Sequence, residues 1–423
     1  MSTRARLFIL GGSVLLAVVV TLAVVAVLGD GKEVASPSPG ASGAASEPAS
    51  ASPSAVSSVD VAGAFAEIER QVRELRGLPA PDIGPAEIID RAQLAEELEE
   101  MLAAEWTDEE LADANLTLRA MGLLTADQDL RELSQALLAD QVIGFYDPLE
   151  ERMVVVSDEG LSVLARITYA HEYTHALQDA AFRSFDQREE LTDDDAILAR
   201  QALEEGDATL VMFQWALQNL DPEELQEVTT APQPDTSEVP GWMLRQLQFP
   251  YLAGFTFVSA LRGSGDWAAV DDAYADAPVS TEQVLHPEKY VAREAPVSVE
   301  AVGLAQRFGA GWEDVAPTTI GEVMIDIWLV ELGAGQDEAT AAAAGWGGDR
   351  LVVASGPDDS WALAWRIAWD SPAEADEFAR AHGGLQPGGD AVGSLVRAAP
   401  AETLILHASS EDVLAAMVGA FAD

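Results

Sequence analysis

The sequence predicts an α+β fold: a mainly helical region with a small β hairpin before one motif-bearing helix, then a C-terminal α+β subdomain. Three observations carry this expectation. Helical periodicity runs through most of the chain after Val59. The runs QVIGFYDP and RMVVVSD are β-prone and separated by a turn holding Asp147 and Pro148. The last portion, from Asp349, reads strand, strand, helix, strand, strand, helix. With 423 residues, 48% of them hydrophobic, the chain has ample material for a core.

In chain order, residues 7–28 form an uncharged run (LFILGGSVLLAVVVTLAVVAVL) long enough to cross a bilayer as a helix. Arg4 and Arg6 precede it, and Asp30, Lys32 and Glu33 follow without net positive charge. The N-terminus is therefore expected inside and the rest exported, which makes residues 1–29 a single-pass anchor in the cell membrane. A cleaved signal peptide is the alternative. Residues 30–58 contain SPSPGASGAASEPASASPSAVSS, a tract with too little large apolar surface to offset the entropy of ordering, and read as a disordered stalk. Residues 59–347 are expected to form the main folded region and 348–423 the C-terminal subdomain. Within the former, VAGAFAEIERQVREL is helical, a short strand lies near Ala86 to Ile89, and three helical stretches precede Leu138. The long segments 161–182 and 194–220 are helical, as are FPYLAGFTFVSAL and IGEVMIDIWLVEL.

Charge and cysteine content exclude several function classes. Acidic residues outnumber basic ones 72 to 23, for a formal net charge of −49, and Lys32 and Lys289 are the only lysines. Such a field repels nucleic acid, so no nucleic-acid partner is expected, and the acidity reads as a solvated surface. The absence of cysteine removes disulfides, thiol nucleophiles and Cys-ligated metal; any metal must use His, carboxylate or water.

The chemistry concentrates in ITYAHEYTHALQDAAF. His171 and His175 are four apart, one helical turn, so both imidazoles reach one metal, and Glu172 can accept a proton from the metal's water. With five histidines in the chain, a chance HExxH is expected on the order of half a percent. The alternative, a metal-free helix with two histidines, fits poorly with the apolar neighbours Ile167, Ala170 and Leu177. A catalytic zinc takes three protein ligands and an open position. LARQALEEGDATLVMF supplies candidates for the third: Glu205 shares a helical face with Leu198, Ala202, Thr209 and Met212, whereas Glu204 and Asp207 lie off it and read as solvent-facing or supporting charges.

HEYTHALQD resembles the active-site helix of thermolysin-like gluzincins, and EEGDA is similar to the segment that supplies the third ligand in gluzincin aminopeptidases. The resemblance covers about residues 142–213. It implies a zincin-like catalytic region, Zn2+ held by His171, His175 and Glu205, and Glu172 as general base. The chain departs from the family in the 29 residues between His175 and Glu205, and in Thr209, where thermolysin-like enzymes place an aspartate. The whole chain also resembles uncharacterised bacterial membrane-anchored proteins with zincin-like cores. The resemblance further suggests that the hairpin of residues 144–156 pairs with an extended substrate, an ordinary packed hairpin being the alternative. It also makes His286 a candidate for holding the transition-state oxyanion, with Tyr290 behind it, although a His-Pro pair in a polar loop is commonly structural. Asp179 either orients an imidazole or closes the helix; His382 and His407 are expected on the subdomain surface. The expected function is zinc-assisted hydrolysis of a peptide or protein substrate outside the cytoplasm. A non-catalytic cell-surface binding protein on a zincin scaffold is the rival.

Overall fold

The computed structural model describes residues 58–421, apart from 140–141, 157–160, 232–235, 238, 264 and 390. The expected anchor, and the stalk up to residue 57, lie outside the described residues. No described helix is long and apolar enough to cross a membrane. The fold is mixed α+β, with two sheets of three and five strands among the described residues.

The first half runs α1 (Ser58–Arg76), β1 (Glu87–Ile89), α2 (Arg91–Glu105), α3 (Asp108–Met121) and α4 (Leu130–Ala139). Asp90 and Thr107 begin α2 and α3 with capping boxes, each satisfying backbone N–H groups that a helix start leaves free. Strands β2 (Gly144–Asp147) and β3 (Arg152–Val156) form the expected hairpin, with Gly144 opposite Val155 and Tyr146 opposite Met153. Asp147 Oδ1 accepts the N–H groups of Leu149 and Glu150 and so closes the turn. β1 adds parallel to β3, giving the order β1-β3-β2 and leaving β2 as an edge.

Helix α5 (Val163–Phe182) follows, capped by the Ser162 hydroxyl and ended by Arg183 in the left-handed region. After the short α6 (Ser184–Glu189), helix α7 (Asp194–Asn219) passes through the middle of the molecule, with 21 of its 26 residues buried. It is flanked by α5, by α1 and by α9 (Gly241–Arg262), which follows α8 (Pro222–Thr230). At the α7–α9 crossing the backbones touch: a Cβ on Gly254 would stand 2.1 Å from the Ala202 carbonyl oxygen, and one on Gly206 would stand 2.2 Å from the Gly254 carbonyl. Glycine at both positions is a steric requirement.

The remainder comprises α10 (Ala268–Ala275), α11 (Thr281–Leu285), α12 (Pro287–Ala292), α13 (Leu304–Phe308), β4 (Glu313–Asp314), α14 (Glu322–Glu331), α15 (Gln336–Ala343), β5 (Trp346–Ser355), β6 (Trp361–Trp369), α16 (Pro372–His382), β7 (Val392–Ala399), β8 (Glu402–Ala408) and α17 (Glu411–Phe421). From β5 onward the element order is the one the sequence predicts. The expected boundary at residue 348 differs from the structure, because it falls inside β5 and the antiparallel sheet β4-β5-β6-β8-β7 reaches back to Glu313. One apolar cluster runs from Ile89 through Leu203 and Trp328 to Ile405, so both parts share a core.

That sharing explains a second correction. His382 and His407, expected at the surface, are buried. Both rings lie against Trp328, and His407 Nδ1 donates to the Ala120 carbonyl at 2.7 Å. Trp328 donates to the Met121 carbonyl and Trp242 to that of Leu123. Two carbonyls in the last turn of α3 and one just beyond it thus receive donors from three separate elements.

Gly254→Ala is expected to destabilise the full chain by about 1–3 kcal/mol, as overpacking against a backbone cannot relax by rotamer change. Gly63→Ala, at an exposed position of α1 with nothing near its Cβ position, is expected to gain about 0.5–1 kcal/mol. Urea denaturation of both variants checks the contrast, and equal effects would refute the close crossing.

Candidate metal centre

The pieces assembled so far meet at one point. His171 and His175 face α7 from α5, and Glu205 meets them from α7. His171 Nε2 lies 2.9 Å from His175 Nε2 and 3.1 Å from Glu205 Oε2, and His175 Nε2 lies 3.3 Å from Glu205 Oε2. A tetrahedral ion with bonds of about 2.0–2.1 Å sets its ligand atoms about 3.3 Å apart, so the triangle has nearly the dimensions of one face of a tetrahedral coordination sphere. His171 and Glu205 are fully buried and His175 nearly so.

The tautomer of His175 follows from its surroundings. Gln178 Nε2 donates to the Glu204 carbonyl at 3.0 Å, and a carbonyl only accepts, so the amide oxygen is the end turned toward His175. Gln178 Oε1 lies 2.9 Å from His175 Nδ1, which must therefore carry a proton and leave Nε2 to the triangle. Burial disfavours charge on both imidazoles. It holds His171 down to about 4, whereas the Glu205 carboxylate overcomes it at His175 and raises that ring to about 9. Burial opposes the Glu205 charge too, but the imidazoles prevail and lower it to about 2. A metal held by His171, His175 and Glu205 would take the place of the Nε2 proton of His175.

Glu172 is buried one residue along α5. The backbone N–H of Tyr146, on edge strand β2, donates to its Oε2 at 2.9 Å, while Oε1 has no partner. Burial raises its carboxyl to about 8. Tyr251 on α9 completes the surroundings. Its ring stacks over His171 at 5.9 Å, and burial with Glu205 and Glu172 nearby pushes its phenol well above the ordinary range. A void of about 20 Å³ opens beside His175, bounded by Tyr146, Pro148, Asp179, Phe185 and Arg188. It has room for about one water molecule.

Glu204 and Asp207 lie apart from the triangle, and neither faces solvent. Glu204 is buried between Arg188 (2.6 Å) and Arg200 (3.0 Å). Asp207 is held by Arg76 at 2.8 Å and by the Tyr274 hydroxyl at 2.9 Å. The expectation of solvent-facing charges fails because α7 is covered on every side, and arginines from α1, α6 and α7 itself neutralise it. Asp179 accepts from the Tyr146 hydroxyl at 3.2 Å, so it ties the hairpin to α5 while Gln178 orients the imidazole.

His286 sits at the junction of α11 and α12, where its Nε2 lies 2.9 Å from Glu322 Oε1; Glu288 is its other polar partner. Its hydrogen-bonded position links α12 to α14 rather than to the triangle. Tyr290 is buried and donates to the Asp276 carbonyl. Sequence reasoning missed Gln178 and Tyr251. Gln178 stands three residues after His175, a helical spacing that could have drawn notice, while Tyr251 is concealed within an apolar helix. Another acidic trio, Glu282, Glu294 and Asp370, converges on the Lys289 ammonium at 2.6, 2.9 and 2.8 Å, so an internal cation fills it.

Residues 306–413 match a domain of unknown function (DUF8575). That stretch runs from α13 into α17 and contains none of the triangle. No curated protein and no solved structure matches the chain.

Gln178→Ala is expected to weaken Zn2+ binding about 10–100-fold, by releasing the His175 tautomer. Glu204→Ala is expected to retain the metal but to lose about 3–5 kcal/mol of stability, since two buried arginines lose their counter-charge. Chelator competition and urea denaturation separate the two effects. Wild-type zinc affinity in Gln178→Ala would remove the orienting role.

Proposed function

We propose that this protein is a zinc metallohydrolase that cleaves peptide bonds, anchored by its N-terminal segment and acting outside the cytoplasm. One observation carries the reading: two imidazole nitrogens and a carboxylate oxygen converge at coordination spacing beside a buried glutamate with a free oxygen. A zinc ion bound by His171, His175 and Glu205 supplies an acidified water and an electrophile for a carbonyl oxygen.

The chain's own groups do the rest. The Tyr146 N–H fixes Glu172 Oε2, so Oε1 takes the proton of the attacking water and hands it to the departing amine. Tyr251, which keeps its proton at working pH, is a donor for the oxygen on which negative charge develops. Edge strand β2 lies on the Glu172 side, which favours an extended peptide paired by its main chain. The void beside His175 is far below the roughly 300 Å³ of a small ligand pocket, so a peptide enters only when α6 or the turn after β2 moves aside.

The near-complete burial of the ligands supports a second reading, a non-catalytic protein with a structural metal. The unpartnered oxygen of Glu172 favours catalysis, because a structural site gains nothing from a free buried carboxylate.

The purified full chain is expected to hold about one zinc, lost in Glu205→Ala. Glu172→Gln should keep that zinc and lose about 10²–10⁴-fold in hydrolysis of an unfolded protein substrate. Metal analysis with peptide-release assays decides: full activity in Glu172→Gln sinks the mechanism, and an inactive wild type with zinc bound supports the structural reading.

A further inference from the structure

Two elements wall the void beside His175: the hairpin, through Tyr146 and Pro148, and α6, through Ser184, Phe185 and Arg188. They are held very differently. On the hairpin, Phe145 and Tyr146 are buried in separate apolar clusters, and Arg152 meets Glu97 at 3.0 Å and Glu150 at 2.9 Å. With Asp147 closing the turn, that wall is fixed. No side chain of α6 belongs to any of the described apolar clusters. A segment with few buried apolar contacts opens far more readily than the whole chain unfolds.

Both ends of α6 are breaks in regular structure. Arg183, which ends α5 and precedes α6, has a φ of 53°, a left-handed conformation that strains a residue carrying a Cβ. No side chain caps the start of α6, and residues 190–193 lead on to α7 outside any helix. Between these breaks the first turn of α6 lies against Asp179, whose carboxylate takes the Phe185 N–H, and Arg188 reaches inward. Its Nη1 donates to Glu204 Oε2 on α7 at 2.6 Å, and its guanidinium lies 5.4 Å from the centre of the Phe185 ring. Glu204 does not depend on it alone, because Arg200 donates to the other oxygen at 3.0 Å. Release of Arg188 therefore leaves Glu204 paired, as a buried carboxylate must be.

We infer that α6 is a lid over the candidate metal centre, hinged at Arg183 and at residues 190–193 and latched by Arg188 on Glu204. The structure is the closed form, in which a void of about one water's size stands beside His175. When the latch releases, α6 swings off as a unit and the void joins solvent, which gives an extended chain room to lie along β2. The hairpin stays in place throughout, because its buried side chains anchor it from both faces. What passes through the opening rests on the proposed hydrolase activity; the opening itself does not.

The chain holds no cysteine, so a single introduced thiol reports opening at its own position. Ser184→Cys puts one at the start of α6, on the wall of the void and 5% exposed; Ser134→Cys puts a control on α4, fully buried. In the full chain, thiol labelling at position 184 is expected to be slow. It should become about 10–100-fold faster when Arg188→Gln removes the charge-assisted hydrogen bond, while the control stays unlabelled in both backgrounds. A second arm holds the lid shut. Pro148→Cys with Phe185→Cys, joined across the void by a short bis-methanethiosulfonate, should slow peptide hydrolysis and extraction of zinc by a chelator, each about tenfold or more, and reduction should restore both. This arm decides the matter if Arg188→Gln fails to fold. Labelling at position 184 that ignores Arg188→Gln, an acceleration that extends equally to position 134, or undiminished hydrolysis and zinc extraction in the cross-linked chain would overturn the lid. An inactive wild type that still shows the latch-dependent labelling removes the hydrolase and keeps the lid.

Discussion

Everything at the candidate metal centre depends on how closely α7 approaches α9. The backbones meet where Ala202 and Gly206 face Gly254, at a separation that leaves no space for a side chain. Tyr251 stands one turn before Gly254 on α9, and Glu205 stands beside Gly206 on α7. The contact between the two helices therefore carries the phenol over His171 and toward the Glu205 carboxylate. Were the helices to part by the width of a methyl group, the Tyr251 phenol would withdraw from the Glu205 carboxylate.

The segment Glu204-Glu205-Gly206-Asp207 shows how three acids are accommodated inside one covered helix. Helical geometry sends them in three directions, and each meets its own partners: two arginines for Glu204, two imidazoles for Glu205, and an arginine with a tyrosine for Asp207. Burying a carboxylate is tolerable only when it is paired and hydrogen-bonded. A chain this poor in cations has thus placed several of its arginines where they neutralise the helix that the site needs.

Much of this was legible in the sequence. A four-residue spacing of histidines fixes one face of one helix, and the apolar company of Glu205 picked out the acid that meets the imidazoles, although all three acids of the segment are buried. The order of elements from β5 onward followed from alternation and turn residues, and the α+β class with it. What escaped reading depends on parts distant in the chain. Gln178 acquires its orientation from a carbonyl on α7, 26 residues later. Tyr251 lies in a run whose hydrophobicity describes a core helix equally well. The burial of Glu204 and Asp207 rests on Arg76 and Arg188, and that of His407 on the end of α3, none of which local pattern discloses.

The trio around Lys289 has a practical side. Lys289 is the one lysine among the described residues, and its ammonium is held by Glu282, Glu294 and Asp370 at hydrogen-bonding distance. Three carboxylates keep it protonated, its pKa pushed well above the usual range by hydrogen bonds that outweigh burial. A protonated amine is no nucleophile. Acylating dyes, amine-directed cross-linkers and lysine-specific proteases will therefore find almost nothing to act on in the folded body of this protein, whereas reagents aimed at carboxylates will find a surface crowded with targets.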